Sequence, residues 1–133
     1  MSSQQKNETF AITQKTKGRY PNLPFADIKQ AVLGRRYNLS LVFVENSFSK
    51  KINAHYRGKN KPTNVLAFPI SKTEGELFIN LPLVKKEAPT FSLPFPSFLL
   101  FIFIHGLLHL KGLRHGSRME KEEKKWMKKY SLV

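Results

Sequence analysis

The chain has 133 residues, enough for one domain with a substantial hydrophobic core. It carries 23 lysines and arginines against 9 acidic residues, a formal charge of +14, and it has no cysteine. This composition excludes a disulfide-built scaffold, fits a reducing cytosol, and makes RNA, ribosomes, DNA and anionic membranes the candidate partners.

In chain order, residues 1–8 are polar, lack the apolar run of a secretory signal, and are expected to be disordered. Residues 10–13 predict a short strand. Pro24 suits a helix start, and the segment through Leu33 places Phe25, Ile28 and Val32 on one inner face before Gly34 ends it. Residues 39–44 are apolar and β-branched, the pattern of a strand buried on both faces. Asn46 is a candidate cap for the next helix, where Phe48, Ile52 and Tyr56 recur at helical spacing and predict an inward stripe.

A basic loop then leads to a predicted strand over 63–70, a turn at 71–75, and a second strand over 76–80. Pro82 permits a short helix through Ala88. Pro94 and Pro96 interrupt the apolar run that follows, leaving a helix from Ser97 of about 14 residues, roughly 21 Å long. A hydrocarbon core of about 30 Å is thicker than that, so this segment reads as a buried central helix and no membrane is expected. Residues 119–130 are amphipathic, with Met119, Trp126 and Tyr130 on one face, where Trp126 is read as helix packing. The sum is a single α+β domain over 1–133. Its small mixed β-sheet, of about four strands, packs with helices around the central histidine-bearing helix.

That helix carries the chemistry. Three of the four histidines lie at His105, His109 and His115. The first two are one helical turn apart and project from the same face. Gly112 suits the residue just past the helix end, where a positive φ lets the chain turn and bring His115 back. Three neutral imidazoles suit zinc, and also nickel, copper or iron. A three-ligand zinc site leaves the fourth position to water, whose pKa zinc lowers from ~15.7 to roughly 7. The alternative for each ring is a core histidine bonded to a carbonyl, but helical spacing, glycine stop and third histidine together favour a hydrolytic metal centre. A metalloprotease helix would carry Glu directly after its first histidine, where this chain has Gly106. Peptide hydrolysis is therefore disfavoured.

The second element is the loop Arg57-Gly58-Lys59-Asn60-Lys61-Pro62. Arginine presents a planar fork of donors matched to phosphate, and lysines attract it as point charges. Beside a hydrolytic metal and a charge of +14, phosphodiester chemistry follows, with Arg57 stabilising the negative charge of the transition state.

The run from Tyr56 to Pro69, Tyr-Arg-Gly-Lys-Asn-Lys-Pro-Thr-Asn-Val-Leu-Ala-Phe-Pro, resembles the loop–strand signature of the bacterial YbeY endoribonucleases. The run from His105 to His115, His-Gly-Leu-Leu-His-Leu-Lys-Gly-Leu-Arg-His, resembles their three-histidine metal motif. The resemblance implies a zinc-dependent, single-strand-specific endoribonuclease, cytoplasmic, acting in ribosomal RNA maturation at the small-subunit 3′ end and in ribosome quality control. It makes His105, His109 and His115 the zinc ligands and Arg57 the catalytic or RNA-binding arginine. Lys59, Lys61 and Arg114 are further expected RNA contacts. The chain departs from the pattern at Leu113-Arg114, where the family usually has Tyr-Asp, and at Asn60, Ala67 and Glu76. If the missing Asp orients a ligand, its loss predicts weaker metal binding.

No general base is evident, and both metal-activated water and the RNA 2′-hydroxyl stand as candidate nucleophiles. Glu76 is a weak candidate, and His55 is read as an exposed or boundary residue. Two rival functions remain: a non-enzymatic ribosome- or RNA-binding factor with a structural or absent metal, and a metallohydrolase acting on another substrate, such as a peptide or small molecule.

Overall fold

The structure, a computed structural model, describes residues 3–6 and 9–130, with side chains for 9–130. Five strands form one mixed sheet: β1 Ser3–Lys6, β2 Phe10–Gln14, β3 Asn38–Val44, β4 Val65–Ser71 and β5 Glu74–Asn80, in the order β1-β2-β3-β5-β4. β3 is central and runs parallel to β2 and β5, while β1 and β4 pair antiparallel at the two edges. The helices are α1 Phe25–Leu33, α2 Asn46–Arg57, α3 Leu81–Glu87, α4 Phe95–Leu110 and α5 Ser117–Tyr130, with a 3-10 turn at Ala88–Phe91.

Four strands match the sequence expectation and β1 corrects it. Within the segment expected to be disordered, Ser3 pairs with Gln14 and Lys6 with Ala11. An edge strand needs only the free backbone groups of its neighbour, so no apolar alternation announces it. The other residues of that segment, 1–2 and 7–8, lie outside the described residues.

Strand alternation assigns the two faces of the sheet. Leu39, Leu41 and Phe43 of β3, with Leu77 and Ile79 of β5, are fully buried in the core cluster. α4 packs against β5, β4, α1, α3 and α5. Its Phe98, Phe103 and Ile104 are completely buried, and Phe103 meets Phe25 of α1 edge to face at 5.0 Å. The helix starts at Phe95, two residues before the expected Ser97. Pro96 sits in the first turn, where its missing N–H would have no helical partner. No single helix among the described residues is long and apolar enough to cross a membrane.

α1 turns its predicted Phe25, Ile28 and Val32 inward, and buries Lys29 with them. The Lys29 amine donates to Thr9 Oγ1 and Arg35 O, both at 3.1 Å, and burial lowers its pKa. α2 departs further from expectation. Glu45, not Asn46, occupies its cap position, and the Asn46 carboxamide oxygen accepts from Asn80 Nδ2 at 2.7 Å. Phe48 and Tyr56 of the expected inward stripe are 38% and 65% exposed, whereas Ser49 and Asn53 are buried. Polar tethers, and not apolar burial, decide which side of this helix faces in.

Gly106 marks the crossing of α4 over β5. A side chain there would run into the Leu77 methyls, in a core already closed. Gly106→Ala is therefore expected to cost about 1–3 kcal/mol of overpacking, partly offset by about 1 kcal/mol of helix propensity. A lower thermal unfolding midpoint checks this.

Candidate metal centre

α4 presents His105 and His109 one turn apart near its C-terminal end. The helix then stops in a double-bonded turn. Leu113 N–H donates to Leu108 O at 3.0 Å, Gly112 N–H donates to His109 O at 3.0 Å, and Gly112 takes φ of 104°. This is the Schellman pattern, and only glycine adopts that φ without strain. The reversal carries Leu113, Arg114 and His115 back over the helix end.

The three rings converge. Their centroids are 4.6 Å apart for His105 and His109, 5.0 Å for His109 and His115, and 5.3 Å for His105 and His115. One ring nitrogen from each lies within 4.8 Å of the other two. Nε2 of His105 and Nε2 of His109 are 3.1 Å apart. Two nitrogens bound tetrahedrally to zinc, at about 2.05 Å each, stand about 3.3 Å apart. The residues present fit a divalent metal ion.

His105 is oriented from behind. Its Nδ1 lies 2.6 Å from Oε2 of Glu123, which is buried on α5. With the proton on Nδ1 donated to that carboxylate, the Nε2 lone pair is free and aimed at His109. Sequence reasoning missed Glu123. Its trace was a carboxylate at 123 on the same helical stripe as Met119 and Trp126, a position where an acidic residue needs a partner. It supplies a carboxylate that orients His105 in a chain whose residue before His115 is Arg114. His109 is held neutral: burial first, then the neighbouring His105 and His115, push its pKa below the usual 6.5.

The tripod forms the floor of a cleft of about 660 Å³, walled by residues 63–68 along edge strand β4 and rimmed by Tyr56, Arg57 and Arg114. Arg57 is the last residue of α2, where Gly58 caps the helix at φ of 67°. α2 ties down the basic loop beyond it: Ser49 Oγ donates to Thr63 O at 2.6 Å and accepts from Thr63 N–H at 2.9 Å. Asn53 Nδ2 donates to Lys61 O at 2.8 Å. Lys59 and Lys61 do not line the histidine cleft. They line an adjoining depression of about 500 Å³ that shares Arg57 with it. Glu76 lies outside the cleft, on the α2 side of β5 next to the α4-facing Leu77, and is no candidate base. His55 is exposed and also outside it, packed edge-on against Tyr56 at 4.5 Å.

Two outcomes follow. Glu123→Gln keeps the shape but removes the charge that orients His105, and is expected to weaken zinc binding by about 10- to 100-fold in competition with a chromophoric chelator. His109 is protonated near pH 6.5 in the unfolded chain but only at lower pH in the folded one. The unfolded state thus binds more protons in that window, so metal-free protein should lose stability as pH falls below about 6.5. Urea unfolding at several pH values checks it, with a smaller slope expected for His109→Gln.

A family model described as Endoribonuclease YbeY matches residues 3–131. The Endoribonuclease YbeY of Persephonella marina is 40% identical over 92 residues, 63% of this chain and 60% of that protein. The one of Neorickettsia sennetsu is 33% identical over 111 residues, covering 75% of this chain and 78% of that protein. The one of Pelagibacter ubique is 34% identical over 119 residues, covering 84% and 76%. The solution structure of TM1509 from Thermotoga maritima matches the fold with a TM-score of 0.58 at 25% identity, over 80% of this chain and 78% of that one. Matched along nearly its whole length, and built as a single α+β unit around three converging histidines, the chain belongs to the Endoribonuclease YbeY family.

Proposed function

We propose that this protein is a zinc-dependent, single-strand-specific endoribonuclease of the bacterial cytoplasm. Its substrate is ribosomal RNA, at the small-subunit 3′ end, and its partners are the ribosome or ribosomal proteins. The observation that carries the reading is the convergence of His105, His109 and His115 in a cleft rimmed by Arg57 and Arg114. Family membership supplies the RNA substrate.

Zinc bound by the three histidines supplies Lewis acidity and a water acidic enough to ionise near neutral pH. The chain's own groups do the rest. Arg57 binds the scissile phosphate through its planar fork and stabilises the charge that grows in the transition state. Arg114 holds the phosphate from the other rim. Glu123 keeps the proton of His105 on Nδ1, and burial keeps His109 free of its proton. Lys59 and Lys61 draw the flanking backbone into the adjoining depression.

One observation favours a second reading, a non-enzymatic RNA- or ribosome-binding factor. Arg114 puts a cation in the cleft beside the tripod, which suits retention of phosphate.

Cleavage of a single-stranded RNA by the purified protein tests both. Wild type is expected to cut, Arg57→Ala to be about 10²- to 10³-fold slower, and His109→Ala to lose zinc and activity together. Elemental analysis should find one zinc per chain. Equal cleavage by all three proteins would sink the assignment of the site. RNA binding without turnover, unaltered in His109→Ala, would establish the binding factor instead.

A further inference from the structure

Tyr56 has no place in the core. It is the most exposed large apolar side chain among the described residues, at 65%, although it sits on the amphipathic helix α2. The other strongly exposed ones stand away from the cleft: Ile70 near the end of β4, and Phe91 stacked on Phe98 at 4.7 Å. Tyr56 instead rims the histidine cleft directly beside Arg57.

The ring is supported but not covered. Phe68 of β4 backs it at 5.1 Å with the planes at 60°, and His55 meets it edge-on at 4.5 Å and 88°. Phe68 in turn rests on Phe78 at 5.7 Å, and Phe78 on Phe48 at 5.9 Å. A row of four aromatic rings thus runs along the α2 face of the sheet and ends at the cleft with its last member open. Among the described residues, no aromatic neighbour lies parallel to Tyr56. An exposed aromatic buttressed from behind, one residue from a phosphate-matching arginine, has the form of a base-stacking platform.

We propose that Tyr56, backed by Phe68, stacks against an unpaired nucleobase adjoining the phosphate bound by Arg57. This deepens the endoribonuclease reading and rests on the cleft being its RNA site. A base held in a duplex is stacked on its neighbours and cannot be splayed onto the tyrosine, so the platform selects single-stranded substrate. Every base offers a π-face, so the selection is tolerant of sequence.

The test is equilibrium binding of two labelled probes of equal length at fixed salt. One is a short single-stranded 2′-O-methyl oligoribonucleotide, and the other an abasic phosphodiester backbone. Wild type should prefer the base-bearing strand. Tyr56→Ala should weaken that strand roughly tenfold and leave the abasic one unchanged, while Tyr56→Phe should restore near wild-type affinity. Arg57→Ala should weaken both probes, since it acts on the backbone. The proposal is overturned if Tyr56→Ala binds the base-bearing strand as wild type does, or loses both probes equally. Absence of binding to either probe by wild type would overturn it together with the RNA site. The expected pattern in a protein that never cleaves RNA would uphold the platform and sink the nuclease reading alone.

Discussion

The 3.1 Å approach of Nε2 of His105 to Nε2 of His109 is the contact to which the rest of the molecule is fitted. At that distance one neutral ring can donate its Nε2–H to the lone pair of the other, or both lone pairs can face a cation set between them. The fold keeps them there by rigidity. Both rings grow from one uncharged helix whose Phe98, Phe103 and Ile104 are locked in the core, which fixes the positions of their Cα atoms. The glycine-stopped turn at 112 adds the third ring, and Glu123 fixes the tautomer of the first. The scaffold thus holds one ring nitrogen from each of the three histidines close enough to share a single cation.

Charge is divided across the cleft in a useful way. One carboxylate stands behind the tripod, where it acts on a ring and not on substrate. The arginines stand at the rim, on the open side of the cleft. An acidic group inside the cleft would offset the positive charge of Arg57 and Arg114. Glu123 gives the orienting effect from the far side of the histidine, so the cleft itself stays cationic.

Legibility in the sequence followed the range of the interaction. The convergence of the three histidines was readable because helical spacing and a glycine stop are local. Glu123 was not, since its role depends on how α5 crosses α4, and only its place on an apolar stripe hinted at it. The orientation of α2 was misjudged for a related reason. Its apolar positions Phe48 and Tyr56 predict the inner face, yet Ser49 and Asn53 face in because they grip the loop at Thr63 and Lys61. A helix that anchors a functional loop can turn its polar side inward, and periodicity alone does not report it. β1 was missed because an edge strand is defined by the backbone it docks on.

The position of β4 at the sheet margin has one more consequence. A strand with an open edge invites a second copy to zip onto it and extend the sheet, the first step of aggregation. Here the open margin borders the cleft that carries Arg57 and Arg114, and the strand itself holds Pro69 and a register slip between Pro69 and Ser71. Two such margins meeting would set like charges against each other across a broken ladder. The arginines that line the cleft thereby also oppose extension of the sheet across this edge.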